Sequence, residues 1–223
     1  MRMALAICLV CILGAGALYW QTDGFTAVTT ESARRADIRR QPRLVPDAAL
    51  AGLPGHAAGA LREELRRDGR LTIVDFMYTR CASLCLAMGT EFQQMQQAIK
   101  DRGLQDRVRL LSLSFDPTDT PRLLQEYGRR MRADPAVWDF AALPAAAGRE
   151  AVLKAFGIVV VLAPLGQYEH NAAYHAVSAG GYLTRIVDIG DAEALLDYAE
   201  RAAPAATAGR RAASGLALAG GGS

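Results

Sequence analysis

Apolar stretches and amphipathic stretches alternate through the middle of the chain. Residues 71–78 (LTIVDFMY) and 108–115 (VRLLSLSF) are rich in apolar, β-branched and aromatic side chains, which is typical of buried strands. Between them, over residues 84–102, apolar side chains recur every three or four positions, and this spacing predicts an amphipathic helix. A strand, a helix and a second strand in this order predict a parallel βαβ unit with a right-handed crossover.

The pattern continues after the second strand. Thr120 suits the cap of a helix and Pro121 its first turn. The elements predicted from there are a helix over 121–132, a strand over 137–143, a helix over 145–156, a hairpin of strands 172–177 and 182–187, and a closing helix over 192–202. Because a hairpin adds antiparallel strands to parallel βαβ units, we expect an α/β domain of three layers with a central mixed sheet.

Length and composition divide the chain into four parts. With 223 residues, the chain has room for one domain of ordinary size and for appendages. We predict a transmembrane anchor or signal segment at 1–20, a tether and lead-in segment at 21–60, the folded domain at 61–202, and a disordered Ala/Gly/Ser tail at 203–223. The net charge is +2, from 25 basic and 23 acidic side chains, and this balance indicates no nucleic-acid partner.

The amino-terminal segment is apolar and uncharged from Met3 to Trp20, which is long enough to cross a bilayer as a helix. A cleavable signal peptide is the alternative, because residues 15–17 (AGA) have the small-x-small form of a cleavage site. Two aromatic residues at the end of the segment favour an anchor. Cys8 and Cys11 lie inside the apolar segment, where we expect them to face lipid or pack and not to bind a metal.

The orientation of the anchor has arguments on both sides. Four arginines downstream of the apolar segment favour a cytoplasmic domain by the positive-inside rule: Arg34, Arg35, Arg39 and Arg40. Against this, a short basic start that leads directly into an apolar run normally sends the rest of the polypeptide across the membrane. We therefore predict a single-pass protein of the inner (cytoplasmic) membrane, whose soluble domain faces the periplasm or extracytoplasmic side.

Two cysteines, Cys81 and Cys85, lie where the first predicted strand gives way to the first long helix. Amide groups in the first turn of a helix favour negative charge, and Arg80 adds a positive neighbour, so a thiolate is favoured here. The pair therefore predicts either soft-metal binding or thiol redox chemistry. A structural disulfide, or two buried apolar side chains, is the simpler alternative.

The order of elements resembles that of a thioredoxin-like domain, which also has cysteines at the start of its first long helix. The spacing differs, because the redox motif of thioredoxin has two residues between its cysteines and this chain has three. Residues 76–85 (FMYTRCASLC), 112–121 (SLSFDPTDTP) and 168–170 (YEH) together resemble the SCO/SenC family, over roughly residues 70–200. The resemblance implies a membrane-anchored thioredoxin-like protein that binds copper and assists assembly of the dinuclear copper centre of cytochrome c oxidase.

The resemblance also implies a ligand set, with Cys81, Cys85 and His170 as copper ligands. His175 falls within the predicted hairpin, and we expect it to be a strand residue held by a hydrogen bond. His56 lies in the lead-in segment, where we expect it to be solvated. The chain departs from the family pattern at three positions near these ligands: Ala82, Leu86 and Glu169. Two acidic residues resemble the family's acidic pair, Asp116 and Asp119, although capping and turn formation account for both.

These features give one leading prediction and several alternatives. The leading prediction is a metallochaperone that takes copper from a donor protein and passes it to the copper-centre subunit of cytochrome c oxidase. Two thiolates select Cu(I), and an added imidazole also stabilises Cu(II). Zinc suits the same ligands and is the alternative metal.

An alternative function is that of an enzyme, an extracytoplasmic thiol-disulfide oxidoreductase with Cys81 and Cys85 as its catalytic residues. A further alternative is a redox-inert sensor or interaction domain that has kept the fold.

Overall fold

The computed structural model describes four ranges of the chain: residues 2–21, 29–53, 59–81 and 84–203. They divide into two compact units, Met1–Pro42 and Arg43–Ser223. The predicted tail and His56 lie outside the described residues.

The first unit contains two helices, α1 (Arg2–Gln21) and α2 (Thr30–Arg40). Helix α2 begins with a reciprocal cap, in which the Thr29 hydroxyl accepts a hydrogen bond from the Ser32 amide and the Ser32 hydroxyl accepts one from the Thr29 amide. The predicted transmembrane helix is not confirmed, because none of the helices in the four described ranges is both long enough and apolar enough to cross a membrane.

The second unit contains ten short or medium strands and five α-helices within the described ranges, besides one 3-10 turn at Pro164–Gly166. In chain order they are β1 (Arg43–Leu44), β2 (Ala49–Leu50), β3 (Gly59–Ala60), α3 (Leu61–Asp68), β4 (Leu71–Met77), α4 (Leu84–Asp101), β5 (Val108–Ser114), α5 (Pro121–Arg130), β6 (Trp138–Ala142), α6 (Ala146–Phe156), β7 (Val160–Leu162), β8 (Tyr168–His170), β9 (Tyr174–Val177), β10 (Tyr182–Val187) and α7 (Ala192–Ala202).

The main sheet has six strands in the order β1-β10-β9-β4-β5-β6. Strands β4, β5 and β6 are parallel, while β9, β10 and β1 pair antiparallel. The sheet is therefore mixed, as predicted. Two further pairs, β2 with β3 and β7 with β8, stand outside this sheet. The sequence did not predict either pair, because strands of two or three residues are too short to display a period.

Helices cover both faces of the sheet. The Tyr174 ring packs against Phe92 of α4, whereas its neighbour His175 packs against Phe156 of α6. Because adjacent residues of a strand point to opposite faces, α4 and α6 lie on opposite sides of the sheet. This confirms the predicted three-layer arrangement. It also explains why all seven residues of β4 and of β5 are buried.

Helices α4 and α5 form for reasons already visible in the sequence. The apolar side of α4 buries Met88, Phe92, Met95 and Ile99, so its methionines fill the core as predicted. Helix α5 begins at Pro121, and the Thr120 hydroxyl accepts a hydrogen bond from the Leu123 amide at 3.3 Å.

Candidate metal centre

Cys81 lies in the short connection between β4 and α4. Strand β4 ends at Met77, a turn is formed at residues 79–80, and the Cys81 amide donates to the Tyr78 carbonyl at 3.2 Å. The Cys81 side chain is half-buried. Cys85 is the second residue of α4, and its side chain is outside the part of the chain that the structure describes. Cys81 therefore lies shortly before the first turn of α4, and the backbone of Cys85 lies within that turn.

The connection before Cys81 is held by Asp119. This buried carboxylate accepts hydrogen bonds from the Thr79 amide at 2.8 Å, from the Thr79 hydroxyl at 2.5 Å and from the Ser114 hydroxyl at 2.6 Å. Thr79 stands two residues before Cys81, so Asp119 fixes the backbone that leads to the thiol. The sequence suggested only a capping or turn role for this residue.

Asp116 holds the next residue of the connection. The Arg80 guanidinium donates to Asp116 Oδ2 at 2.7 Å, and the amide and hydroxyl of Thr118 donate to Oδ1 at 2.8 and 2.7 Å. Burial acts to raise the pKa of Asp116, but the hydrogen bonds from Arg80 and Thr118 outweigh it and lower the pKa below its ordinary value. Asp116 is thus an anion that orients Arg80, and it is already occupied by these donors.

His170 reaches the same region from the β7–β8 hairpin, as the last residue of β8. Its ring lies 5.0 Å from the Phe115 ring and 6.4 Å from the Tyr78 ring, measured between centroids. Nδ1 is 2.9 Å from the Asn171 carbonyl oxygen. Because a carbonyl only accepts, Nδ1 carries the proton in the neutral ring, and Nε2 is the nitrogen that offers a lone pair.

The protonation state of His170 suits metal binding. Burial lowers its pKa, while the hydrogen bond to Asn171 and the negative charge of Cys81 act in the opposite direction, and the net result is a pKa below the ordinary value. The imidazole is therefore neutral at pH 7, which is the form that binds metals. The same balance includes an electrostatic contribution from Cys81, which is far from His170 in the sequence.

Tyr78 fastens the hairpin that carries His170. Its hydroxyl accepts a hydrogen bond from the Tyr168 amide at 3.2 Å, and it lies 3.1 Å from both the Tyr168 carbonyl and Gln167 Oε1, one of which takes its proton. Its ring also packs edge-on against the Tyr168 ring, with centroids 5.3 Å apart. Tyr78 thus connects the cysteine segment to the histidine hairpin. Sequence reasoning missed this role, because the residues joined by these hydrogen bonds are 90 positions apart.

The remaining histidine with a described position is not part of this site. His175 is fully buried in β9, and its Nε2 is 3.1 Å from the Phe156 carbonyl oxygen. The prediction of a strand residue held by a hydrogen bond is confirmed. Among the side chains that the structure describes, no group of three His, Cys, Asp or Glu residues is arranged to hold a metal ion. Of the predicted ligands, Cys81 and His170 belong to that described set and the Cys85 side chain does not.

Sequence comparison identifies the family. The mixed sheet between helices, with cysteines at the start of the helix after β4, defines a thioredoxin-like protein. The SCO1/SenC family model matches residues 56–195, and the chain belongs to this family. A curated relative, the SCO1 protein homolog of Bacillus subtilis (strain 168), is 26% identical over 117 residues. That match covers 51% of this chain and 59% of the relative, so the chain spans less than two thirds of the relative's length.

Solved structures have the same fold. A SCO1/SenC family lipoprotein from Bacillus anthracis str. Ames has a TM-score of 0.63 at 21% identity, over 73% of this chain and 97% of that one. BsSco, described as a member of the Sco family of cytochrome c oxidase assembly proteins and as having a disulfide switch, has a TM-score of 0.60 at 22% identity, over 72% and 94%. Arabidopsis thaliana ScoI with copper bound has a TM-score of 0.59 at 17% identity, over 71% and 98%. At these identities the likeness establishes the fold.

Proposed function

We propose that this protein is a copper chaperone in which Cys81, Cys85 and His170 bind one copper ion. The observation that carries the proposal is that Tyr78 lies against both parts of the site: its carbonyl accepts a hydrogen bond from the Cys81 amide, and its ring centroid is 6.4 Å from that of His170. The Nε2 atom of His170 offers the lone pair. Membership of the SCO1/SenC family and the copper-bound structure of a relative support it. Copper is here the cargo of the protein.

The chemistry of the donor set favours copper. Two sulfurs and one nitrogen are soft and borderline ligands, which select Cu(I), and the imidazole extends the set to Cu(II). The nearby carboxylates, which would favour harder metals, are already occupied: Asp119 by Thr79 and Ser114, and Asp116 by Arg80 and Thr118. Zinc remains the competing metal, because two cysteines and one histidine with a water also suit it.

Transfer would proceed by ligand exchange. A three-coordinate copper leaves room for an incoming ligand, so an acceptor thiolate or imidazole can bind before Cys81, Cys85 or His170 releases the metal. Because a structural relative belongs to a family of cytochrome c oxidase assembly proteins, the acceptor we propose is the copper-centre subunit of that oxidase, with a separate copper donor upstream.

A copper titration of the full chain tests this proposal. We expect one copper ion per chain for the wild type, and loss of tight binding in each of Cys81→Ser, Cys85→Ser and His170→Ala. The matched control is the double variant Cys8→Ser/Cys11→Ser, which removes two thiols of α1 and should bind copper as the wild type does. Unchanged affinity in His170→Ala would rule out the proposed site, and tighter binding of zinc than of copper would change the cargo.

A second function is favoured by the position of the cysteines at the start of α4, where helix amides stabilise a thiolate. As a thiol-disulfide oxidoreductase, the Cys81 thiolate would attack a partner disulfide and release one partner thiolate. Cys85 would then attack the mixed disulfide, so that the partner is reduced by two electrons and Cys81 and Cys85 form a disulfide. In this mechanism His170→Ala keeps its reductase activity, which separates the two functions.

We also propose that the apolar segment from Met3 to Trp20 attaches the protein to the inner membrane, with the folded domain on the extracytoplasmic side. The proposal is supported by the uncharged sequence of the segment and by the lipoprotein among the structural relatives. Fractionation of cells that produce the full chain should recover it in a carbonate-resistant membrane fraction, and protease added to spheroplasts should degrade it. Recovery in the soluble fraction would contradict the anchor.

A further inference from the structure

A groove of about 640 Å³ opens beside Cys81, between the cysteine segment and α5. Cys81 itself lines the groove, together with Thr79 and Arg80 from the same segment. The opposite wall comes from α5 and the residue immediately after it. A group that lies in this groove is therefore next to Cys81, which the proposed function uses.

The floor of the groove is apolar and well fixed. It is formed by Tyr127 and Met131, which are 4% and 7% exposed, with Leu123 beside them. The Tyr127 ring packs edge-on against Phe140 of β6, with centroids 5.8 Å apart. A partner backbone can lie on such a surface without having to order it first.

The rim of the groove is charged, and its charges are unequally compensated. Arg80 is paired with Asp116, and Glu126 is paired with Arg122 at 2.7 Å. The exposed Arg130 stacks over the Tyr127 ring at 5.3 Å and donates to the Thr79 carbonyl at 3.4 Å. Within the described ranges it forms no ion pair with a carboxylate. Counting described residues alone, the groove thus presents one uncompensated guanidinium, that of Arg130, held beside the cysteine segment.

We propose that this groove is the docking site for an acidic, extended segment of the partner protein, whose carboxylate pairs with Arg130 while its metal-binding or disulfide-bonded cysteine meets Cys81. The proposal rests on the proposed function, because either copper transfer or disulfide exchange requires a partner atom to come within bonding distance of this sulfur. An uncompensated cation at the edge of an apolar groove favours an acidic partner segment and steers its approach.

The test uses peptides and needs no copper. In a Cys8→Ser/Cys11→Ser/Cys85→Ser chain, Cys81 is the single thiol. Short peptides carry one cysteine as a mixed disulfide with a coloured aryl thiol, and glutamates, serines or lysines flank that cysteine. The Cys81 thiolate attacks the peptide sulfur, the bond to the aryl sulfur breaks, and the aryl thiolate leaves with the electron pair and is measured by its absorbance. Each rate is divided by the rate of the same peptide with a small free thiol, which removes differences in intrinsic reactivity.

We expect the acidic peptide to react about fivefold faster than the serine peptide at low salt and the lysine peptide to react more slowly, with the difference disappearing at about 1 M salt. Arg130→Glu should reverse the preference and Arg130→Gln should abolish it. Arg129→Glu is the matched control: it reverses the adjacent charge on the same helix, but Arg129 lines a different cavity with Gly52 and Phe140, so the preference should persist.

Two results would overturn the groove as a docking site: equal rates for the three peptides with the wild-type groove, or identical effects of the Arg129 and Arg130 reversals. Far-ultraviolet circular dichroism confirms that each variant is folded. Copper titration of Arg130→Glu with all four cysteines present separates this proposal from the proposed function. Copper binding equal to the wild type, with loss of the peptide preference, assigns the defect to docking, whereas a wild type that prefers acidic peptides but binds no copper refutes the chaperone alone.

Discussion

Asp75 makes the stability of this domain depend on pH in an unusual direction. It lies in the middle of β4, is 2% exposed, and faces Ser112 of β5. One carboxylate oxygen, Oδ1, has no hydrogen-bond partner among the described residues. Burial raises the pKa of Asp75 to about 7, even though a hydrogen bond from Ser112 acts to lower it. In the folded protein this carboxyl therefore binds a proton that it would lose in the unfolded chain.

The sign of the effect depends on the two pKa values. Between the ordinary pKa of 3.8 and the folded value of about 7, the folded state holds one more proton than the unfolded state, so the free energy of unfolding falls as the pH rises. A pKa difference of this size corresponds to about 4 kcal/mol, since each pKa unit is worth about 1.4 kcal/mol. That is a large part of the roughly 5–15 kcal/mol that stabilises a typical domain.

Asp75→Asn removes this cost at neutral pH. We expect the wild type to lose several kcal/mol of stability between about pH 4 and pH 8, and the variant to lose much less, so that the variant is the more stable protein at about pH 8. Urea denaturation of both chains at a series of pH values measures the difference. The fluorescence of Trp138 is the signal, because its indole is buried and donates to Ser112 at 2.9 Å, next to the substituted position.

Glu150→Gln, which neutralises an exposed carboxyl of α6, is the control and should leave the pH dependence of the wild type unchanged. If wild type and Asp75→Asn have parallel stability profiles over the whole range, the carboxyl does not change its protonation on unfolding. Burial would then not raise the pKa of Asp75 in the folded protein.

Three further substitutions test the support around the site and the fold. Tyr78→Phe keeps the ring but removes the hydroxyl that holds the histidine hairpin, so a competition titration should give a copper dissociation constant about fivefold to tenfold higher. Tyr182→Phe, at a 45% exposed position, is the control. Equal copper affinities of Tyr78→Phe and the wild type would contradict a role of the Tyr78 hydroxyl in holding the hairpin. Asp119→Asn leaves the donors of Thr79 and Ser114 without a carboxylate acceptor and should lower the free energy of unfolding, measured by thermal denaturation, by about 1–3 kcal/mol. Asp191→Asn is the control. An unaltered melting temperature of Asp119→Asn would contradict the role of Asp119 in holding the segment before Cys81. Gly52→Ala places a Cβ 2.8 Å from Leu124 Cδ1 at a φ of +98° and should destabilise the second unit by about 2 kcal/mol. Gly59→Ala is the control, because its Cβ meets nothing within 4 Å. Equal stabilities of the two variants would contradict the backbone strain expected at residue 52.

Local patterns predicted most of the main sheet and its helices. Residues 71–78 and 84–102 gave the bounds of β4 and α4 to within one residue, because a continuous apolar run and a three-to-four spacing are read directly from neighbouring positions. The β7–β8 hairpin was missed. Val161 and Leu162 are apolar yet 55% and 72% exposed, so a reading that equates apolar with buried fails there.

Part of the candidate site could likewise be predicted from local sequence, and part could not. The cysteine pair and His170 could be proposed from short motifs, since each motif is contiguous. The roles of Tyr78 and Asp119 could not, because they depend on hydrogen bonds to Tyr168 and Thr79, which are far away in the sequence. The importance of Asp75 could have been predicted from the sequence. It is the one charged residue among the apolar and neutral residues 71–78, and the desolvation of a carboxylate in a strand buried on both faces is unfavourable.

Among the strands that the structure describes, β7 and β8 of the hairpin that carries His170 pair with each other and with no strand of the six-stranded sheet. The two halves of the proposed copper site therefore have different mechanical supports: a stiff platform for sulfur, and a separately attached arm for nitrogen. A displacement of the arm would move His170 without breaking a strand pairing of the main sheet. Substitutions in the arm should therefore change the affinity of the proposed site for copper, and the rate at which copper dissociates, without destabilising the main sheet.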